Sequence, residues 1–229
     1  MLRSLVGSEM CIRDRYKGIK GTEQKLKANL GGSNMKLQLA LDDITLDDAV
    51  ELLDKVHTYV DIIEVGSPFI IEEGMRPVRI FKEKYPDCEI LADTKIMDAG
   101  EYEAEETFKA GADYCTVLGV TDTLTIEGCV KAAKEYGKQT MVDMICVEDV
   151  PKRVKEIEAV GVDFIGVHVG VDQQAVGITP LEKLAEMKSC VEHSIVSVAG
   201  GINLKTIEEY KKLNPEVIIV AVSYTHLRA

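Results

Sequence analysis

No stretch of the 229 residues approaches about 18 consecutive apolar side chains, so no membrane-crossing helix is expected. The N-terminus lacks an apolar segment followed by a small-residue cleavage site, so no secretory leader is expected either. The six cysteines, at 11, 88, 115, 129, 146 and 190, never fall into CxxC spacing. That argues against a zinc site or a disulfide framework and points to buried or half-buried thiols in a reducing cytoplasm. An excess of positive charge is also missing. A net charge of −12 argues against nucleic acid or an anionic membrane as partner. The same field repels phosphorylated metabolites, so a phosphate site has to be built locally, from backbone N–H groups or a cation.

Charge divides the chain into three parts. The first 34 residues carry seven Lys/Arg against three Asp/Glu, and the last nine add one positive charge, which leaves −17 on residues 35–220. Residues 4–15 (SLVGSEMCIRDR) and 222–229 (VSYTHLRA) resemble translated sequencing-adapter read-through. Gly31-Gly32 shortly before Met35 suits a ribosome-binding site in the coding DNA, which makes Met35 the expected start. Residues 1–34 are therefore expected to be a non-native or disordered extension, 35–220 the folded domain, and 221–229 a non-native tail.

From Met35 onward, short apolar β-rich runs alternate with amphipathic stretches. The runs begin near Leu37, Asp61, Cys88, Asp113, Gln139, Asp163, Ser194 and Glu216, between 22 and 31 residues apart. Each interval has room for one strand, one helix and two short loops. The strand cores (LQLAL, IIEV, EILAD, YCTVL, TMVDMI, FIGVH, IVSVA, VIIV) are almost continuously apolar, as parallel strands covered on both faces should be. Thr45 with Asp48 makes a capping-box-like start before the stripe Ala49, Val50, Leu52, Leu53 and Val56. Lys109-Ala110-Gly111-Ala112-Asp113 and Ala159-Val160-Gly161-Val162-Asp163 share one grammar, in which a helix ends at glycine and a strand starts at once. Eight strands with seven intervening helices predict an α/β fold, a closed (β/α)8 TIM barrel. A doubly wound open sheet would want a glycine-rich loop after its first strand, and the chain has Asp42-Asp43-Ile44-Thr45 there. The eighth βα unit is expected to be truncated, because the tail begins where its phosphate loop and closing helix should follow.

Carboxylates and a lysine inside apolar strands are costly unless paired or metal-bound. Yet Asp42 ends the first run, Glu64 lies late in the second, and Asp93 and Lys95 end the third. Asp143 sits in the fifth and His168 ends the sixth. In a (β/α)8 barrel these positions face one mouth, where active sites are built. Strand alternation would project Asp93 and Lys95 to one side, with Asp98 in the loop that follows. At such a mouth His168 suits a general base, whereas His57 and His193 have no comparable context. Ala199-Gly200-Gly201, followed by Ile202-Asn203-Leu204 opening a helix, suits a phosphate held by backbone N–H groups.

The motif Asp93-Thr94-Lys95-Ile96-Met97-Asp98, a D-x-K-x-x-D, resembles that of the orotidine-5′-phosphate-decarboxylase superfamily. The resemblance covers most of residues 35–220: LALD at 39–42, EVGSP at 64–68, ADTKIMDAG at 92–100, AGAD at 110–113, TVLG at 116–119, VDMI at 142–145, HVGVDQQA at 168–175 and AGGI at 199–202. It points to the group that holds the hexulose-phosphate synthases and the 3-keto-L-gulonate-6-phosphate decarboxylases. The resemblance implies Mg²⁺ on Glu64 and Asp93, with Asp42, Lys95 and Asp98 around the reacting carbons. It further implies that Asp42 and Asp98 orient Lys95 and keep it charged, and that Asp143 orders water or substrate hydroxyls. Asp98 would reach a neighbouring subunit's site, which implies a homodimer with composite sites.

Two chemistries in this group share an enediolate. A decarboxylase branch makes it by losing CO₂, and an aldolase branch makes it by deprotonating ribulose 5-phosphate before addition to formaldehyde. The decarboxylase branch tends to carry Glu in the fifth strand, Arg three residues after the sixth-strand His, and Thr before the Gly-Gly pair. This chain has Asp143, Val171 and Ala199, and all three match the aldolase branch. The implied activity is a Mg²⁺-dependent, cytoplasmic aldolase joining formaldehyde to D-ribulose 5-phosphate, reversibly. The alternatives are the decarboxylase, and an inactive barrel whose missing eighth helix leaves apolar surface uncovered.

Overall fold

The computed structural model describes residues 35–170, 173, 176–202 and 205–221. Eight parallel strands close into a barrel in sequence order. They are β1 Lys36–Leu41, β2 Ile62–Val65, β3 Glu89–Ile96, β4 Tyr114–Leu118, β5 Gln139–Asp143, β6 Phe164–His168, β7 Ile195–Ala199 and β8 Val217–Ala221. Every strand starts within one residue of its expected position. Among the described residues eight helices surround it: α1 Leu46–Val56, α2 Ser67–Glu73, α3 Arg76–Lys84, α4 Gly100–Lys109, α5 Thr123–Tyr136, α6 Val150–Val160, α7 Pro180–Cys190 and α8 Ile207–Lys212. No described helix is long and apolar enough to cross a membrane.

Two features depart from expectation. The β2–β3 connection holds two helices, because Gly74 adopts φ 59° and ends α2 just before Pro77 opens α3. Ala221, assigned above to the tail, is the last residue of β8 and pairs with Ala40 of β1. Residues 1–34 and 222–229, the latter being where the truncated eighth unit would continue, lie outside the described residues.

Period-two alternation sorts the strand side chains into two layers. Ile63, Val65, Ile90 and Ala92 pack outward with Leu52, Leu53 and Phe81 of the surrounding helices. Ile62, Leu91, Tyr114, Met141, Phe164 and Val217, one from each of six strands, form a separate cluster that fills the barrel. Tyr114 meets Phe164 edge-on at 5.1 Å between ring centroids. Two residues further along these strands come Glu64, Asp93, Thr116, Asp143 and Gly166, so the apolar plug is the floor of a polar layer at the mouth. Thr45 caps α1 by accepting from Asp48 N–H at 3.2 Å, and Leu46, Ala49, Leu52, Leu53 and Val56 are the buried face. Each leucine so buried is worth roughly 2 kcal/mol.

The opposite end of the barrel carries a repeat of its own. The N–H groups of Leu37, Ile90, Thr140 and Val196, each the second residue of β1, β3, β5 and β7, donate to side chains on the neighbouring strand. The acceptors are Asp61 (2.8 Å), Asp113 (2.9 Å), Asp163 (3.2 Å) and Glu216 (2.9 Å), each just before β2, β4, β6 or β8. The glycine-then-acid grammar thus seats alternate strand starts. The turns at Gly111 (φ 106°) and Gly161 (φ 87°) deliver two of these acids.

Candidate active site

The site begins with an irregular strand. β3 and β4 are in register at Ala92–Cys115 and again at Ile96–Val117, so Asp93, Thr94 and Lys95 together face the single residue Thr116. Lys95 accommodates the extra chain with a left-handed backbone, φ 46°, which costs a non-glycine residue strain. Bulges of this kind re-aim side chains. Asp93 and Lys95 do meet as expected, but through this bulge and not through plain alternation. The Lys95 ammonium lies 3.0 and 2.9 Å from the two carboxylate oxygens of Asp93.

From there a chain of contacts crosses the mouth. Lys95 Nζ donates to Asp143 Oδ2 at 2.7 Å, and that oxygen lies 2.9 Å from His168 Nδ1. Within the chain the carboxylates of Asp93 and Asp143 hold Lys95, two contacts that the expected roles of Asp42 and Asp98 did not include. Burial works against the charge on Lys95, yet Asp93 and Asp143 outweigh it and hold the ammonium well above the ordinary lysine range. Burial also pushes the Asp143 carboxyl up, but the bond and charge of His168 and the charge of Lys95 win and hold it well below the usual range. Asp143 also accepts from Ile145 N–H at 2.9 Å. An ionised, acceptor-only Asp143 places the imidazole proton on Nδ1 and leaves Nε2 as the basic nitrogen.

Glu64 and Asp93 come from adjacent strands and are both buried. Burial raises the Glu64 carboxyl well above its usual range, and the charges of Asp93 and Asp42 raise it further. A 2.6 Å hydrogen bond from Gln38 Nε2 and the charge of Lys95 offset this only in part. Like-charged carboxylates in one buried place call for a cation. The other end of the Gln38 amide, Oε1, is buried with no hydrogen-bond partner. All the donors are hard oxygens, a set that fits Mg²⁺ with positions left for water and substrate. Asp42 lies against Gly66 at the end of β1, and a side chain at 66 would collide with both Asp42 and the Leu41 carbonyl.

The remaining expected residues are placed as follows. Asp98 is exposed, and its Oδ1 accepts from the next N–H, of Ala99, at 2.8 Å. Within one chain it is separate from the Lys95 cluster. Gly200 and Gly201 follow Ala199 with φ of 108° and 66°, which suits glycine. Their carbonyls accept from Tyr210 and Thr206 hydroxyls, both at 3.0 Å. The helix expected at Ile202 starts at Ile207, because residues 205–206 form a turn and Thr206 is held back on Gly201. Val171, Asn203 and Leu204 lie outside the described residues. Cys146 departs from the expected burial, being exposed at φ 61° in the β5–α6 loop.

Sequence reasoning missed three polar side chains: Gln38, Ser67 and Thr116. Ser67 donates to Asp93 Oδ2 at 2.8 Å and lies 2.7 Å from its carbonyl, while Thr116 donates to Asp93 Oδ1 at 2.8 Å. A glutamine within LQLAL, facing a barrel interior, was the one available signal.

Residues 35–223 match the model of the orotidine 5′-phosphate decarboxylase / HUMPS family. A 3-hexulose-6-phosphate synthase of Bacillus subtilis (strain 168) is 47% identical over 186 residues, 81% of this chain and 89% of that protein. The crystal structure of 3-hexulose-6-phosphate synthase from Salmonella typhimurium superposes with a TM-score of 0.81 at 53% identity, covering 85% of this chain and 92% of that one. For 3-keto-L-gulonate-6-phosphate decarboxylase from Vibrio cholerae O1 biovar El Tor the TM-score is 0.72 at 28% identity, with 82% and 88% covered. Similarity is thus higher toward the synthases, the direction in which Asp143 and Ala199 point.

Proposed function

The chain belongs to the orotidine 5′-phosphate decarboxylase / HUMPS family, and from that premise we propose that it has 3-hexulose-6-phosphate synthase activity, that of an aldehyde-lyase of carbohydrate metabolism. It condenses formaldehyde with D-ribulose 5-phosphate to D-arabino-hex-3-ulose 6-phosphate, and runs the reverse. The observation that carries this reading is the run of contacts Asp93–Lys95–Asp143–His168, which joins an ammonium and an oriented imidazole through one carboxylate.

Glu64 and Asp93 are the residues that would hold Mg²⁺, which supplies Lewis acidity toward the sugar's oxygens. His168, its Nδ1 proton fixed on Asp143, presents Nε2 to the C1 proton of ribulose 5-phosphate. Asp93 and Asp143 favour the charged form of Lys95, which suits it to serve as a cation facing the enediolate oxygens. Carbon 1 then forms the new bond to the carbon of formaldehyde, the ribulose carbonyl is restored, and the formaldehyde oxygen, now an alkoxide, takes back the proton that His168 removed from C1. Asp42 lines the rim beside Glu64, and the Ala199-Gly200-Gly201 turn receives the phosphate.

The enzyme works as a homodimer in the cytoplasm, where the thiols of Cys88, Cys115, Cys129, Cys146 and Cys190 stay reduced. The loops and helix starts that follow β3 and β4, the first of which carries exposed Asp98, also expose Met97, Tyr102, Val120 and Leu124. Covering them with a second copy would bring Asp98 toward the partner's mouth. The barrel of residues 35–221 is the catalytic unit.

Incubating the chain with formaldehyde and ribulose 5-phosphate, first with Mg²⁺ and then with chelator, tests the reading. Hexulose phosphate should form only with the metal. Release of CO₂ from 3-keto-L-gulonate 6-phosphate without aldol product would assign the decarboxylase reaction instead.

A further inference from the structure

We propose that Thr116 is a positioning residue that locks the Asp93 carboxylate and the Lys95 ammonium into one geometry. The proposal rests on the aldolase reading for its kinetic readout, and on Glu64 and Asp93 as metal ligands for its binding readout.

Thr116 is the one residue of β4 that stands opposite the three-residue bulge, and it bonds to every member of it. Its hydroxyl accepts from Lys95 N–H at 2.8 Å and donates to Asp93 Oδ1 at 2.8 Å. Its carbonyl accepts from the Thr94 hydroxyl at 2.9 Å. A hydroxyl has one proton. Since the Lys95 amide can only donate, that proton is committed to Asp93, and both directions of the relay are fixed. Thr116 and Asp93 are buried, Thr116 being 3% exposed, while Thr94 and Lys95 are half-buried.

The consequence is mechanical. Lys95 holds a left-handed backbone that a lysine abandons unless something retains it. The Thr116 hydroxyl retains it and at the same time sets the rotamer of the carboxylate that Lys95 must reach. Lys95 Nζ and Asp93 are therefore placed by a group whose hydroxyl is wholly engaged with these two residues. Partners of this kind typically change metal affinity or turnover by about 10- to 100-fold when removed.

The test compares Thr116→Val, which keeps the shape and loses the hydroxyl, with Thr116→Ser, which keeps the hydroxyl. Mn²⁺ binding is followed by electron paramagnetic resonance, and kcat and KM by hexulose-phosphate formation. T116V should weaken Mn²⁺ binding and lower kcat, each by about 10-fold or more, while KM for ribulose 5-phosphate moves by less than about threefold. T116S should recover both to within about threefold of the parent. If T116V fails to fold by circular dichroism, Thr116→Cys replaces it, and its weakly bonding thiol should give an intermediate loss in both quantities. Parent-like Mn²⁺ binding and kcat in T116V or T116C would overturn the proposal, as would T116S as impaired as T116V. A parent protein that binds Mn²⁺ but makes no hexulose phosphate defeats the aldolase reading alone, and the Mn²⁺ affinities of the variants still decide on Thr116.

Discussion

Nδ1 of His168 lies 2.9 Å from Oδ2 of Asp143, the same oxygen that receives the Lys95 ammonium at 2.7 Å. One buried carboxylate thus serves as common anchor for the base and the cation, joining β3, β5 and β6 across the mouth. A single proton or charge lost at this point is felt on both sides.

Asp143→Asn should therefore lower kcat by about 10²- to 10⁴-fold with the fold intact. An asparagine can offer its NH₂ to His168 Nδ1, which moves the ring proton to Nε2 and removes the base. The rate of solvent deuterium exchange at C1 of ribulose 5-phosphate, measured without formaldehyde, should fall in parallel. A variant with kcat within about threefold of the parent would take the pair out of the chemistry.

Metal removal gives a second prediction, through Glu64. Its carboxyl is raised in the folded state, by burial first and then by Asp93 and Asp42. A raised carboxylate carries no penalty at low pH, where folded and unfolded chains are both protonated. It destabilises the fold increasingly as pH climbs from the ordinary glutamate value toward the folded one. At neutral pH without metal, Glu64→Gln should thus be more stable than the parent, by a few degrees in Tm, since about 1 kcal/mol corresponds to about 2–4 °C at this size. The parent should gain Tm on adding Mg²⁺, and the variant should not. Thermal melts with Mg²⁺ and with chelator check this, and an equal Mg²⁺ response in both proteins would remove Glu64 from the ligand set.

The eight strands could be read because each is apolar almost throughout and bounded by a glycine or an acid. Strand ends then placed Glu64, Asp93, Asp143 and His168 on one rim by fold geometry alone. What could not be read is how these residues bond to one another. Alternation assumes a regular ladder, but Asp93-Thr94-Lys95 carries two residues more than its partner strand, and a bulge is a pairing event with no local signature. That is why the hold of Asp93 and Asp143 on Lys95 was not legible in the sequence. Ser67 and Thr116 escaped for a related reason. A serine or threonine in a strand or turn is ordinary until its register puts the hydroxyl against a carboxylate.

Gly66→Ala tests how closely β1 and β2 must approach at the rim. An added Cβ would lie 2.8 Å from the Leu41 carbonyl oxygen and collide with the Asp42 carboxylate. Backbone cannot give way cheaply there, so a loss of about 1–3 kcal/mol is expected, together with a drop in kcat as Asp42 is displaced. Urea titration and steady-state kinetics on the same preparation separate the two effects. Unchanged kcat beside the stability loss would mean that the position of Asp42 is immaterial to turnover.

At the far end of the barrel, Asp113 makes a pH-dependent contribution that has no bearing on catalysis. Its carboxylate accepts from Lys82 and Lys138, both at 2.7 Å, and from Ile90 N–H at 2.9 Å. Burial pushes the carboxyl up, but these bonds more than offset it and hold it below the ordinary value of 3.8. A depressed carboxyl stabilises the fold fully above the unfolded value and loses that contribution as pH falls through the folded one. Asp113→Asn should then cost about 2 kcal/mol at pH 7 with kcat unaltered. The difference from the parent should shrink once the pH passes below 3.8. Denaturant titrations of both proteins between neutral and strongly acidic pH measure that difference directly. If it stayed constant across the range, the cost would lie in the shape of the side chain and not in its charge, and the two lysines would have no electrostatic hold on this strand.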